Sequence, residues 1–208
     1  MYKLYYSPGA CSMAIHVVLN ELGQAVTLED VSKPEVKAEL TKLNPRGAVP
    51  VLVDGKETIR EGAAILLHLL EKHKSTLLPS SGHERTKALE WLMSCNATLH
   101  PAYAKVFFCL KNFEGETQQK VVTAAIAQVN KLWEEVETHL AHQPYLCGKD
   151  ITVADILLTV IANWSGYFAD KGRVKIGEHT KKLLRNVVAR PAYQKALATE
   201  NVEYKAAA

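Results

Sequence analysis

Hydrophobic and polar positions change their rhythm near residue 80. Before it, short apolar runs alternate with helical stripes. Tyr2 to Tyr6 reads as a strand in spite of Lys3, a turn follows at Ser7-Pro8-Gly9, and Met13, Val17, Val18 and Leu22 repeat at helical spacing within residues 11–22. Gly23 is a natural helix stop. Residues 26–31 predict a second strand and residues 34–43 a helix, with Pro34 near its first turn, where a missing N–H costs least. After the loop signal Asn44-Pro45-Arg46-Gly47, residues 49–53 and 57–59 flank Asp54-Gly55, an antiparallel hairpin signature. Residues 62–73 return to helical spacing through Ile65, Leu66, Leu69 and Leu70. A βαβ unit followed by ββα predicts a four-stranded mixed sheet with helices packed on it.

From His83 onward the strand signals stop. Leu89, Leu92, Asn96, Leu99, Tyr103, Val106 and Leu110 form one long stripe, and Val122, Ala125, Val129, Leu132, Val136 and Leu140 a second, as in helices that pack into a bundle. A third helix is expected from about Thr152 to Phe168. Thr152 and Asp155 have the spacing of a capping box, and the following ILLTVIA is apolar around nearly its whole circumference, which marks a central buried helix. Residues 180–189 and 191–198 supply shorter outer helices, and the final three alanines have nothing to hold them. The linker falls at about 74–82, where Leu77 and Leu78 can anchor it to a core.

Composition narrows the class without naming a function. The 208 residues are 48% hydrophobic and 23% charged, with 25 Lys and Arg against 22 Asp and Glu for a net charge of +3. This is ordinary for a globular protein and makes no demand for nucleic acid or an anionic membrane. The N-terminus lacks a signal-peptide pattern, and the strongest apolar run, Ile156 to Ala162, is far too short to span a bilayer. The four cysteines, at 11, 95, 109 and 147, form no CxxC pair or metal-ligand spacing, and no HExxH is present. Reduced thiols, no bound metal and a cytoplasmic location are the expectations.

Three short segments can carry chemistry. Cys11 falls where a strand, a Pro-Gly turn and a helix start meet. Unpaired N–H groups and the helix dipole there stabilise an anion and can lower a thiol pKa below its usual ~8.5. A reactive thiol, a site for another molecule's thiolate and a small buried hydrophobe all remain open. Val49-Pro50 precedes an apolar strand; a proline at a strand's first residue wastes no ladder donor, and trans is the commoner isomer of any X-Pro bond. Glu61-Gly62 opens a helix whose N–H groups suit a carboxylate, while Glu61 either meets an ammonium group or caps the helix.

Taken in order, YYSPGACSMAIHVVLNELG, LNPRGAVPVLV, EGAAILLHLLE, EWLMSCNATLH and YLCGKDITVADILL resemble the glutathione S-transferase family, and within it the bacterial beta-class enzymes, over essentially the whole chain. The resemblance implies an α/β thioredoxin-like N-terminal domain, residues 1–76, that binds glutathione as co-substrate. It also implies an all-α helical-bundle domain, residues 84–208, that lines the electrophile site, in a homodimer. It makes Val49-Pro50 a cis bond. Cys11 would take the class's cysteine position beside the glutathione sulfur, and His100 its C-terminal-domain histidine. Val49 and Pro50 would lie along the cysteinyl part, Glu61 and Gly62 at the γ-glutamyl end, and Trp164 near the active-site region.

The chain departs from the class in several places. Pro101 follows His100 where the class often has Lys; it removes a helical N–H and should bend the segment. The stretch after Val31 looks shortened, so Lys33, favoured over Lys37, is the expected partner of the glycyl carboxylate. Gly62 stands where the wider family commonly has Ser. Asn96 is either a buried hydrogen-bonding residue of the bundle or a cleft residue, with the structural role favoured, and Asp155 is expected to close the Thr152 cap. The expected reaction conjugates glutathione to small hydrophobic electrophiles. Cys11, His100 and the hydroxyl of Ser12 or Tyr6 would supply donors, although a packing role in the sheet is favoured for Tyr6. Tyr103, Phe107 and Trp164 would line the electrophile cleft. The rival readings are glutathione-dependent monothiol disulfide exchange and a non-enzymatic binder of apolar ligands.

Overall fold

The structure, a computed structural model, describes residues 1–168 and 174–207. It opens with β1 (Tyr2–Tyr6), α1 (Ser12–Glu21), β2 (Val26–Asp30), α2 (Pro34–Leu43), β3 (Val51–Asp54), β4 (Glu57–Arg60) and α3 (Gly62–Lys72). The strands form one mixed sheet in the order β2-β1-β3-β4. β1 runs parallel to β2 (Leu4 opposite Leu28) and antiparallel to β3 (Leu4 opposite Leu52), and β3 pairs antiparallel with β4. Period-two alternation divides the sheet's faces. Tyr2, Leu4, Tyr6 and Leu52 join the main core, whereas Tyr5 and Val51 pack with Val36 and Leu40 of α2.

The rest of the described chain is helical. α4 (Gly82–Ser94) leads through a π turn (Cys95–Leu99) into α5 (His100–Asn112). α6 (Gly115–Leu140), α7 (Val153–Asn163) with a 3₁₀ turn (Trp164–Phe168), α8 (Glu178–Val188) and α9 (Pro191–Glu200) follow. As its pattern requires, α7 is buried from Val153 to Ala162. The capping box at its start is formed, and Asp155 also accepts the Leu146 N–H at 2.8 Å. Leu77 and Leu78 are buried in the core, and the Leu77 carbonyl accepts the Val153 N–H at 2.9 Å.

Two details differ from expectation. α1 is buried from Ser12 through Leu19, because it packs on α3 on one side and on α7 and α9 on the other. One apolar core therefore runs from Tyr2 to Leu197 through both halves. The tail also has a hold: Asn163 pairs through its side chain with the Glu203 carbonyl and the Lys205 N–H, and Ala206 and Ala207 pack on the core. Ala208 lies outside the described residues.

Candidate functional site

The turn that carries Cys11 is held from several sides. Gly9 takes φ 69°, a left-handed conformation that favours glycine. Its carbonyl accepts the Trp164 Nε1–H at 2.8 Å, and its N–H donates to Glu200 Oε2 at 3.0 Å. Ser12 Oγ turns back onto Ser7, donating to its carbonyl at 3.3 Å and accepting its N–H at 3.2 Å. Cys11 occupies the N-cap of α1 with its sulfur turned inward, 3.8 Å from the Val49 carbonyl, and the Val49-Pro50 bond is cis.

Opposite this turn stands His100. Pro101 has no N–H for the Ala97 carbonyl, and its ring crowds that carbonyl. The ladder survives by widening: the His100 N–H donates to Cys95, five residues back. The expected disturbance at Pro101 thus takes the form of a π turn, a feature frequent at functional sites. His100 is half-buried with its ring 4.9 Å from Trp164, and burial pushes its pKa below the usual imidazole value.

Two cavities meet at Cys11 and His100. One, of about 280 Å³, is lined by Pro8, Gly9, Ala10, Phe107, Trp164 and Tyr167 besides the shared Cys11, His100 and Ala104. The other, of about 330 Å³, is lined by Asn44, Arg46, Val49, Pro50, Glu61, Gly62 and Asn96 among others. The first is aromatic and apolar; the second offers backbone, amide and charged groups. A wider hollow of about 620 Å³ under the linker, near Leu70, Lys74 and Arg85, has neither thiol nor imidazole, so chemistry rather than size places the site. Among the described residues, no three His, Cys, Asp or Glu side chains converge as metal ligands, and no helix is long and apolar enough to cross a membrane.

Some expected residues therefore come together and others do not. Cys11, His100, Val49, Pro50, Glu61, Gly62, Phe107 and Trp164 all line one or both cavities, whereas among the described residues Tyr6, Ser12, Lys33 and Tyr103 line neither. Tyr6 is packed in the core, Ser12 is spent on Ser7, and Lys33 is exposed at the N-cap of α2. Tyr103 is fully buried behind Trp164, its hydroxyl engaged with Ser165 Oγ at 2.7 Å and Trp133 Nε1 at 2.9 Å. Glu61 stands at the N-cap of α3, but its side chain makes no capping bond; at φ 70° it reaches Arg46 Nη2 at 2.8 Å. The Cys11 thiol is corrected in sign: burial pushes its pKa up to about 11, which the Ser12 and Cys11 backbone N–H groups only partly offset. Desolvation outweighs the helix terminus here.

Residues absent from the expected set include Arg46, whose loop is held by buried Asn44 through the Ala48 carbonyl at 2.8 Å, and the buried pair of His16 with Glu200. Asn96, for which the sequence favours the structural role over the cleft one, lines the cavity.

Comparison with known proteins agrees with this geometry. Residues 2–77 match the model of the glutathione S-transferase N-terminal domain, and residues 98–191 that of the C-terminal domain. Glutathione S-transferase GstA of Escherichia coli O157:H7 is 30% identical over 208 residues, covering 97% of this chain and 100% of that protein. A glutathione S-transferase from Xylella fastidiosa superposes with a TM-score of 0.86 at 25% identity, over 98% of this chain and 100% of the other. A sphingomonad glutathione S-transferase complexed with glutathione superposes at 0.80 and 29% identity, over 97% and 100%.

Proposed function

The chain belongs to the glutathione S-transferase family, and from that premise we propose that it joins glutathione to small hydrophobic electrophiles at the junction of its two cavities, as a beta-class-like enzyme with Cys11 beside the sulfur. The observation that carries this reading is the shared Cys11–His100 border between a polar cavity suited to a peptide and an aromatic one suited to an apolar molecule. Residues 1–76 then form the glutathione-binding domain and 84–208 the domain lining the electrophile site. The working unit is a cytoplasmic homodimer engaged in detoxification. Glutathione's cysteinyl backbone lies along Val49-Pro50, and its γ-glutamyl end reaches Glu61 and Gly62.

The raised Cys11 pKa favours conjugation over thiol exchange. A protonated Cys11 is a poor nucleophile but a donor, and its S–H and the N–H groups at the start of α1 favour glutathione's thiolate. Each unit of pKa depression in the bound thiol is worth about 1.4 kcal/mol. The unprotonated His100 imidazole accepts the departing proton. The sulfur lone pair then forms the C–S bond as a halide, or another leaving group, departs with its electron pair. The test is retention on immobilised glutathione together with conjugation to an activated aryl chloride. Cys11→Ala keeps conjugation within about tenfold, the loss of one donor, and loses glutathione-dependent disulfide exchange. An intact protein that neither binds glutathione nor turns over would refute the proposal.

A further inference from the structure

Among the described residues Asn96 is an amide without a protein partner, and it lines the polar cavity. Its neighbours Cys95 and Leu99 are buried, Cys95 with its sulfur 3.8 Å from the Ala154 carbonyl, and they pin the π turn to α7. Asn96 is thereby turned toward the sheet half. A Cβ built on Gly62 would lie 3.6 Å from Asn96 Oδ1, so the amide stands over the first residue of α3. Asn96 stands beside Gly62, and Arg46 beside Glu61 at 2.8 Å, in the same cavity wall that includes Cys11 and His100. A structural Asn inside a bundle would have its hydrogen bonds satisfied within the protein; this one lines the cavity, and no described residue takes up its donors or acceptor.

The geometry points to Asn96 as a substrate contact that selects the γ-glutamyl group of the thiol, reaching it from the helical half of the same chain. This inference rests on the reading of the polar cavity as the glutathione site. A γ-glutamyl end carries both an ammonium and a carboxylate, and an amide is the uncharged side chain that can accept from one and donate to the other. Glu61 faces the ammonium, and Arg46, with the α3 N–H groups, faces the carboxylate. Asn96 closes the remaining side without altering the charge balance of the Arg46–Glu61 pair. His100, one turn further on, meets the sulfur, so a single helical segment reads the γ-glutamyl end and the central thiol.

Two variants and two thiols test this. Asn96→Ala removes the amide, and Asn96→Leu removes its hydrogen bonds while keeping its bulk. Steady-state conjugation of an activated aryl chloride is measured with glutathione and with cysteinylglycine, which lacks the γ-glutamyl group, alongside melting temperatures. A hydrogen bond to a charged group predicts a KM for glutathione raised about tenfold or more in both variants, with kcat little changed. The kcat/KM for cysteinylglycine stays at the parent value. An unchanged glutathione KM, or equal losses with both thiols in variants that melt like the parent, overturns the inference. A parent protein that does not bind glutathione overturns the reading of the cavity itself.

Discussion

Glu200 ties the last helix to the turn that carries Cys11, and its removal has a cost that can be worked from the contacts. Oε1 meets His16 Nδ1 at 2.9 Å and Oε2 accepts the Gly9 N–H at 3.0 Å, with His16 only 2% exposed and Glu200 only 4%. Glu200→Ala leaves the Gly9 N–H and the His16 nitrogen without partners, at about 1–3 kcal/mol for each unsatisfied group. Gly9 is half-buried and recovers part of this from water, so about 2–4 kcal/mol is expected. His16→Ala instead strands a buried carboxylate, and breaking a buried pair from that side costs about 3–5 kcal/mol. At about 2–4 °C per kcal/mol for a chain of this size, Glu200→Ala melts about 4–16 °C lower and His16→Ala about 6–20 °C lower. Glu200→Gln, which keeps an oxygen for Gly9, falls less than Glu200→Ala. Scanning calorimetry of the three variants gives the order directly. A Glu200→Ala protein that melts within about 2 °C of the parent, or below His16→Ala, refutes the reasoning.

Alkylation of Cys11, followed by mass spectrometry of its peptide, should rise with pH until about 11, and a plateau below pH ~8 would contradict its burial. The folded thiol holds its proton above the ordinary thiol value, so this difference contributes stability below that value that is lost as pH climbs toward about 11. Asp155→Ala should cost about 3–5 kcal/mol, against about 1 kcal/mol for losing an ordinary cap, because it strands the buried N–H groups of Leu146 and Thr152 together. Urea denaturation measures the difference, and a loss equal to that of Thr152→Ala would count against it.

The elements were legible because each buries a face whose period is written locally: α2 spans Pro34–Leu43 as read, and the hairpin turns one residue beyond the Asp54-Gly55 signal, at Gly55-Lys56 between the paired Asp54 and Glu57. From local pattern alone the site was legible only where its residues occupy a junction, as Cys11 and Glu61 do, while His100 and Trp164 were reached through the family resemblance. Partners far apart in sequence left no such mark: 184 residues separate His16 from Glu200, and a buried histidine in an apolar helix looks the same with or without an acid. Arg46 belongs to a loop whose composition announces a turn but not the direction of its side chain. The place of Asn96 in the cavity is not written in its stripe, because the widening of the ladder before Pro101 changes which groups the segment presents. The Cys11 pKa followed a rule for exposed helix termini, while the sulfur faces inward.

If peptide and electrophile bind in the two cavities as proposed, the border at Cys11 and His100 governs departure as well as arrival. Before the C–S bond forms, peptide and electrophile are held by separate walls and each can dissociate alone. Afterwards they are one molecule, and whichever half remains seated keeps the other at a high effective concentration over its own cavity. Both must let go together, so the better an electrophile fits among Phe107, Trp164 and Tyr167, the slower its conjugate escapes. For such substrates turnover becomes a measure of release, and the electrophiles processed fastest are those the aromatic wall holds only moderately well.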